Sequence, residues 1–105
     1  MQAVLAIDTL PDTALEAAAG FTAQHLPAIR EHLGRGEDLV VVLPQAGYDH
    51  ADWRRAAVRD LARAYAPVRV NFITAAAQNA VDASVEYLAE APGVTGQYLP
   101  LNADG

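Results

Sequence analysis

The run Asp38-Leu-Val-Val-Val-Leu43 constrains this chain more than any other segment. It is apolar without interruption after Asp38, with Gly34-Arg-Gly36 ahead of it and Pro44 behind. A strand at a sheet surface alternates apolar and polar residues; a strand with no polar face must be covered on both sides. That is the situation of a parallel sheet clothed by helices. Three further apolar runs stand at Val4–Ile7, Val68–Ile73 and Tyr98–Leu101, and alanine-rich stretches with helical spacing lie between them. Strand alternating with helix along the whole chain predicts an α/β fold.

The helical stretches carry their own punctuation. Thr13 and Glu16 have the spacing of a capping box, and Leu15, Ala19, Thr22, Leu26, Ile29 and Leu33 then recur on one face up to Gly34. Pro27 falls inside this stretch, lacks an N–H and is expected to bend it. A second helix runs from about Ala51 or Asp52 to Tyr65, with Trp53, Ala57, Leu61 and Ala64 on one stripe and Val58, Leu61 and Tyr65 on the next. Arg54, Arg55, Arg59, Asp60 and Arg63 fill the remainder, and Pro67 ends the segment. A third helix, from Ala75 to about Ala91, shows Val81, Val85 and Leu88 on one face before Pro92-Gly93.

Composition narrows the chemistry. The 105 residues fit one domain, 1–105, and 52% hydrophobic with 19% charged residues describes a chain with a real core. There is no cysteine, so no disulfide, thiolate or cysteine-based zinc site. There is no lysine, so no Schiff base and no Walker-type phosphate loop. A net charge of −6 opposes nucleic acid and anionic membrane surfaces as partners. No apolar run approaches the roughly 18–20 residues that span a bilayer. The amino end has neither a basic region nor a long apolar one, so a reduced, cytoplasmic setting is expected.

Few residues invite catalysis. Ser84, the only serine, sits mid-helix beside Val81 and Val85 and reads as a packing residue. His25 and His32, seven residues apart on a helix, stand roughly 10 Å apart, too far for one metal ion without a third element. No metal and no cofactor is expected. Arg54, Arg55, Arg59 and Arg63 form a basic strip, either solvated beside acids such as Asp60 or facing a partner's carboxylates or phosphates. Tyr48, Asp49, His50 and Asp52 form the densest polar cluster, at the carboxyl end of the second strand, where α/β sheets hold ligands. A carboxylate beside an imidazole supports acid–base work or metal binding. The competing reading makes Asp52 the N-cap of its helix and the rest a solvated loop.

Three segments in order, Arg55-Ala-Ala-Val-Arg-Asp-Leu-Ala-Arg-Ala-Tyr-Ala66, Val68-Arg-Val-Asn71 and Val94-Thr-Gly-Gln97 with Leu99-Pro-Leu-Asn-Ala-Asp-Gly105, resemble the carboxyl-terminal half of a short-chain dehydrogenase/reductase. Leu26-Pro27 and Gly34-Arg-Gly36 with the Leu39 strand extend the likeness more loosely toward the amino end. The resemblance implies a truncated Rossmann-like parallel sheet of about four strands, in two or three layers, with three main helices. It also implies that the glycine-rich pyrophosphate turn is missing, because the first strand runs into Asp8-Thr9-Leu10 without a glycine. The family's proton-donating tyrosine falls at Ala51, its lysine at Arg55, its carbonyl-polarising serine at Pro44 and its helper asparagine at about Ala14. Arginine is a poor substitute for that lysine.

The resemblance therefore suggests a non-catalytic subunit, a pseudoenzyme that oligomerises with itself or with a full-length, active short-chain dehydrogenase. The expected interface residues are Leu15, Ala19, Leu26, Ile29 and Leu33 on the first helix, Trp53, Ala57, Leu61, Ala64 and Tyr65 on the second, and Val81, Val85 and Leu88 on the third. The Val4–Ile7 strand would then lack its family neighbour, leaving an apolar edge for a partner or a turn of this chain to cover. The alternative is an NAD(P)-linked oxidoreductase or other small enzyme with its site relocated to Tyr48 and His50 and completed by a partner. A third reading makes the sequence a fragment of a longer gene product.

Overall fold

A computed structural model describes residues 2–103. Four strands, β1 (Gln2–Ala6), β2 (Asp38–Leu43), β3 (Val70–Thr74) and β4 (Tyr98–Leu99), form one parallel sheet in the order β1-β2-β3-β4. Between β1 and β2 run α1 (Ala14–Gly20), a π-helical turn (Phe21–His25) and α2 (Leu26–Gly34). Between β2 and β3 lie a 3-10 turn (Tyr48–His50) and α3 (Ala51–Tyr65), and α4 (Gln78–Ala89) joins β3 to β4.

The expectation for β2 holds: Leu39, Val40, Val41, Val42 and Leu43 are all buried. Side chains alternate across the pleat. Leu39, Val41 and Leu43 join Phe21, Ile29, Leu33, Val58 and Leu61 on the face covered by α1, α2 and α3. Val40 and Val42 join Ile73 and Leu88 on the face covered by α4. The fold is thus three-layered. The strands step across the sheet in one direction, yet α4 lies opposite α1–α3. The last crossover therefore has the opposite hand to the first two, and parallel crossovers nearly always share one hand.

Pro27 is the second residue of α2 and directly follows the π turn Phe21–His25. Removing the proline N–H and making room for its ring against the preceding turn loosens the ladder, and Leu26 N–H reaches back to the Phe21 carbonyl. The Thr13 cap is present: Glu16 N–H donates to Thr13 Oγ1 at 3.2 Å, and the Thr13 hydroxyl donates to the Glu16 carboxylate. At the far end of α2, His32 first and then Arg35 hold the Glu37 carboxyl below its ordinary range.

Several boundaries differ from the sequence pattern: β1 is Gln2–Ala6 where Val4–Ile7 is expected, and α4 is Gln78–Ala89 where Ala75 to about Ala91 is expected. β3 begins at Val70, not Val68, because Val68 N–H closes a turn onto the Tyr65 carbonyl and Arg69 N–H goes to the Asp38 carboxylate. β4 stops at Leu99 because Pro100 has no N–H for the ladder. α3 has the expected bounds, Ala51–Tyr65, but it starts directly from the 3-10 turn, so Asp52 lies within its first turn and is not its cap. There its charge still suits the helix N-terminus.

The segments carrying the family likeness prove to be a structural lock. Asn71 Nδ2 donates to the Val94 carbonyl at 3.1 Å, and Asn71 Oδ1 accepts from Gln97 N–H at 3.1 Å. Thr95 Oγ1 accepts from Val70 N–H, and Gly96 N–H donates to the Val70 carbonyl. Gly96 has φ +73°, and a Cβ there would lie 3.1 Å from the Ala62 side chain, so both backbone and space ask for glycine. Buried Asn71 thereby satisfies both halves of its amide while fixing the lead-in to β4. Asn71→Leu strands two backbone groups, and urea unfolding is expected to show a loss of about 2–4 kcal/mol.

Candidate functional site

The carboxyl ends of β1 and β2, and the loops that follow, enclose a cavity of about 380 Å³. Its wall includes Asp8, Thr9 and Asp12 after β1, Pro44, Gln45 and Gly47 after β2, and His50 and Arg54 from the start of the next helix. Gln45 anchors the loop by donating to the Thr74 hydroxyl and to the Ala75 and Leu101 carbonyls. The Pro44–Asp52 stretch is consequently packed onto the sheet end at both Gln45 and His50, while Tyr48 is 91% exposed.

The predicted cluster does not converge. His50 turns inward and is buried, whereas Tyr48, Asp49 and Asp52 face solvent. His50 lies 2.9 Å from the Asp12 carbonyl through Nε2 and 3.2 Å from the Trp53 indole nitrogen through Nδ1. A carbonyl only accepts and an indole N–H only donates, so Nε2 carries the hydrogen and Nδ1 is the acceptor. Both ring nitrogens are spent on holding the loop after β1 to the start of α3. An imidazole so engaged has no lone pair or hydrogen left for a substrate. Exchanging His50 for alanine leaves the Asp12 carbonyl and the Trp53 indole unpaired; the expected cost is about 1–3 kcal/mol in urea unfolding.

The positions matching the family's catalytic residues hold no replacement groups. Pro44 ends β2 and offers only its carbonyl, which accepts from Arg54 Nη1 at 3.0 Å. Ala51 is buried at the first turn of α3, Arg55 is exposed on the outside of the same helix, and Ala14 begins α1. Ser84 spends its hydroxyl on the Ala80 carbonyl. His32 pairs with Glu37 and stays apart from His25, and among the described residues no group of three His, Cys, Asp or Glu is placed to hold a metal.

The expected basic strip is corrected at one residue. Arg55, Arg59 and Arg63 are exposed, with Arg63 paired to Asp60, but Arg54 is completely buried. It occupies the inward row Ala51, Arg54, Val58 and Leu61, whose i, i+3, i+4 spacing faces the sheet. Its guanidinium passes the end of β2, donates to the Pro44 carbonyl and Tyr98 hydroxyl, and lies 5.4 Å from the Trp53 ring and 5.8 Å from the Tyr98 ring. The signal was in the helical spacing, which places residue 54 among the apolar positions.

A second concavity, of about 510 Å³, opens on the outer side of the helices. Phe21, Leu26, Ala57, Leu61 and Ala64 make its apolar lining, and Arg30, bonded to the Tyr65 hydroxyl at 2.9 Å, and Asp60 mark its charged groups. Of the expected interface residues, Ile29, Leu33, Leu61 and Leu88 are buried in this chain's own core. Leu15 is 84% exposed, Ala19 and Ala64 are exposed, and Leu26, Trp53, Ala57, Tyr65, Val81 and Val85 are half-buried. β1 pairs only with β2 among the described residues, and Val4 is 49% exposed.

A four-stranded parallel sheet with helices on both faces and a cavity at the strand carboxyl ends defines a Rossmann-like α/β protein. A family model, described as short chain dehydrogenase-like protein, matches residues 5–101. The chain belongs to this SDR-like family. Comparison with curated proteins and with solved structures gives no match. Among the described residues, no helix is long and apolar enough to cross a membrane.

Proposed function

We propose that this chain is a non-catalytic SDR-like subunit that pairs with a second copy of itself or with an active short-chain dehydrogenase. The observation that carries the reading is a contrast within one structure. The π turn, α2 and α3 together hold an open apolar groove, whereas the three positions that the resemblance matches to the family's serine, tyrosine and lysine hold Pro44, Ala51 and Arg55. Alanines at 57 and 64 keep the groove shallow enough for a facing helix to come close. Leu15, exposed on α1, adds apolar surface on the same helical segment.

Charge supports self-pairing in spite of the net −6. Arg30 and Asp60 line the same groove. A two-fold partner presents the same patch, so an Arg30–Asp60 contact made in one direction is made again in the other. The half-covered β1, with its unpaired outer edge, is a second place where a neighbouring chain gains hydrogen bonds.

The test is the mass of the native protein at micromolar concentration, alone and co-expressed with an active short-chain dehydrogenase. A dimer or a mixed complex is expected. Ala64→Arg, which places a charge in the groove from an exposed position, is expected to weaken assembly by a factor of about ten or more while leaving the unfolding midpoint of the dilute, unassembled chain unchanged. A monomer under both conditions would remove the proposal. NADH and NADPH titrations of the isolated chain, read by nicotinamide fluorescence, are expected to be flat. Saturable binding would favour the alternative of an oxidoreductase with relocated chemistry.

A further inference from the structure

A fully buried guanidinium normally lies against a carboxylate, because an isolated charge is costly to remove from water. Arg54 has no ion pair among the described residues. Its Nη1 is used on the Pro44 carbonyl and the Tyr98 hydroxyl. Its Nε and Nη2 are buried without a hydrogen-bond partner. These two nitrogens are neighbours on one edge of the guanidinium, and their hydrogens point out in parallel. That edge is the fork that receives the two oxygens of a carboxylate. Arg54 is also part of the wall of the 380 Å³ cavity at the carboxyl ends of β1 and β2.

We propose that this cavity binds a small organic carboxylate, whose two oxygens take the Nε and Nη2 hydrogens of Arg54. Asp8 and Asp12 line the same cavity and repel a multiply charged phosphate more than a single carboxylate. The same two acids, with Thr9 and Gln45, suit an amino group elsewhere on the ligand, so an amino acid fits the lining better than a plain fatty acid. Nε and Nη2 are sealed from water in this conformation, so entry requires part of the wall to give way. Ala46, exposed and without a hydrogen-bonding side chain, is the part of the wall with least to lose. The pairing supplies the counter-charge that the fold itself does not. It is independent of the helix groove, so failure of one proposal leaves the other standing.

The probes are acetate, L-alanine and inorganic phosphate, titrated into the whole chain and followed by the NMR signals of the Arg54 Nε–H and the Trp53 indole N–H. Acetate or L-alanine is expected to shift both signals saturably, with phosphate weaker by about tenfold or more. Arg54→Gln and Ala46→Phe are each expected to weaken carboxylate binding by about tenfold or more. Ala46→Phe fills the cavity from an exposed position and leaves Arg54 in place, so it serves even where the Arg54 variant fails to fold. The proposal is overturned by the absence of a saturable shift with either carboxylate, by undiminished binding in Ala46→Phe, or by phosphate binding as tightly as acetate.

Discussion

The burial of β2 on both faces is the constraint on which the rest of this molecule depends. A strand reading Leu39-Val-Val-Val-Leu43 has no side that water can tolerate. It therefore requires two helical layers, and the chain supplies α1, α2 and α3 on one face and α4 on the other. Placing β2 between β1 and β3 satisfies its backbone as well as its side chains. The carboxyl ends of the strands then form one rim, and the loops leaving that rim enclose the cavity with Arg54 in its wall.

Within this frame the residues that mark the family divide into two sets. Asn71 and the Val94–Gln97 segment are retained, and they hold β3 to the lead-in of β4 through the asparagine amide. Such bonds serve the scaffold whatever the reaction. The positions that the resemblance matches to the family's catalytic groups hold a proline, an alanine and a solvent-facing arginine. His50, the most plausible replacement for acid–base work, has both nitrogens committed to Asp12 and Trp53.

The architecture was legible because it rests on period and punctuation. The uninterrupted β2, the Thr13 cap and the Pro27 interruption all act locally, and each is present in the structure. The site was less legible because it rests on direction. Tyr48, Asp49, His50 and Asp52 are neighbours in sequence, but the 3-10 turn sends His50 inward and the others outward. In sequence Arg54 groups with the other arginines of its helix, since charged residues usually face water. Its row on the helix, shared with Ala51, Val58 and Leu61, outweighs that tendency once the guanidinium finds the Pro44 carbonyl and the Tyr98 hydroxyl. The start of β3 at Val70 depends on a long-range partner, the Asp38 carboxylate, that no local pattern contains.

Pairing through the groove of the π turn, α2 and α3 is the proposal on which the functional reading rests. Amide hydrogen exchange, compared between dilute chain and chain at assembling concentration or with an added dehydrogenase, tests it most directly. The account predicts added protection at Phe21–Arg30 and Ala57–Tyr65, with α4 unchanged. Exchange that is identical under all conditions, or protection confined to α4, would contradict it.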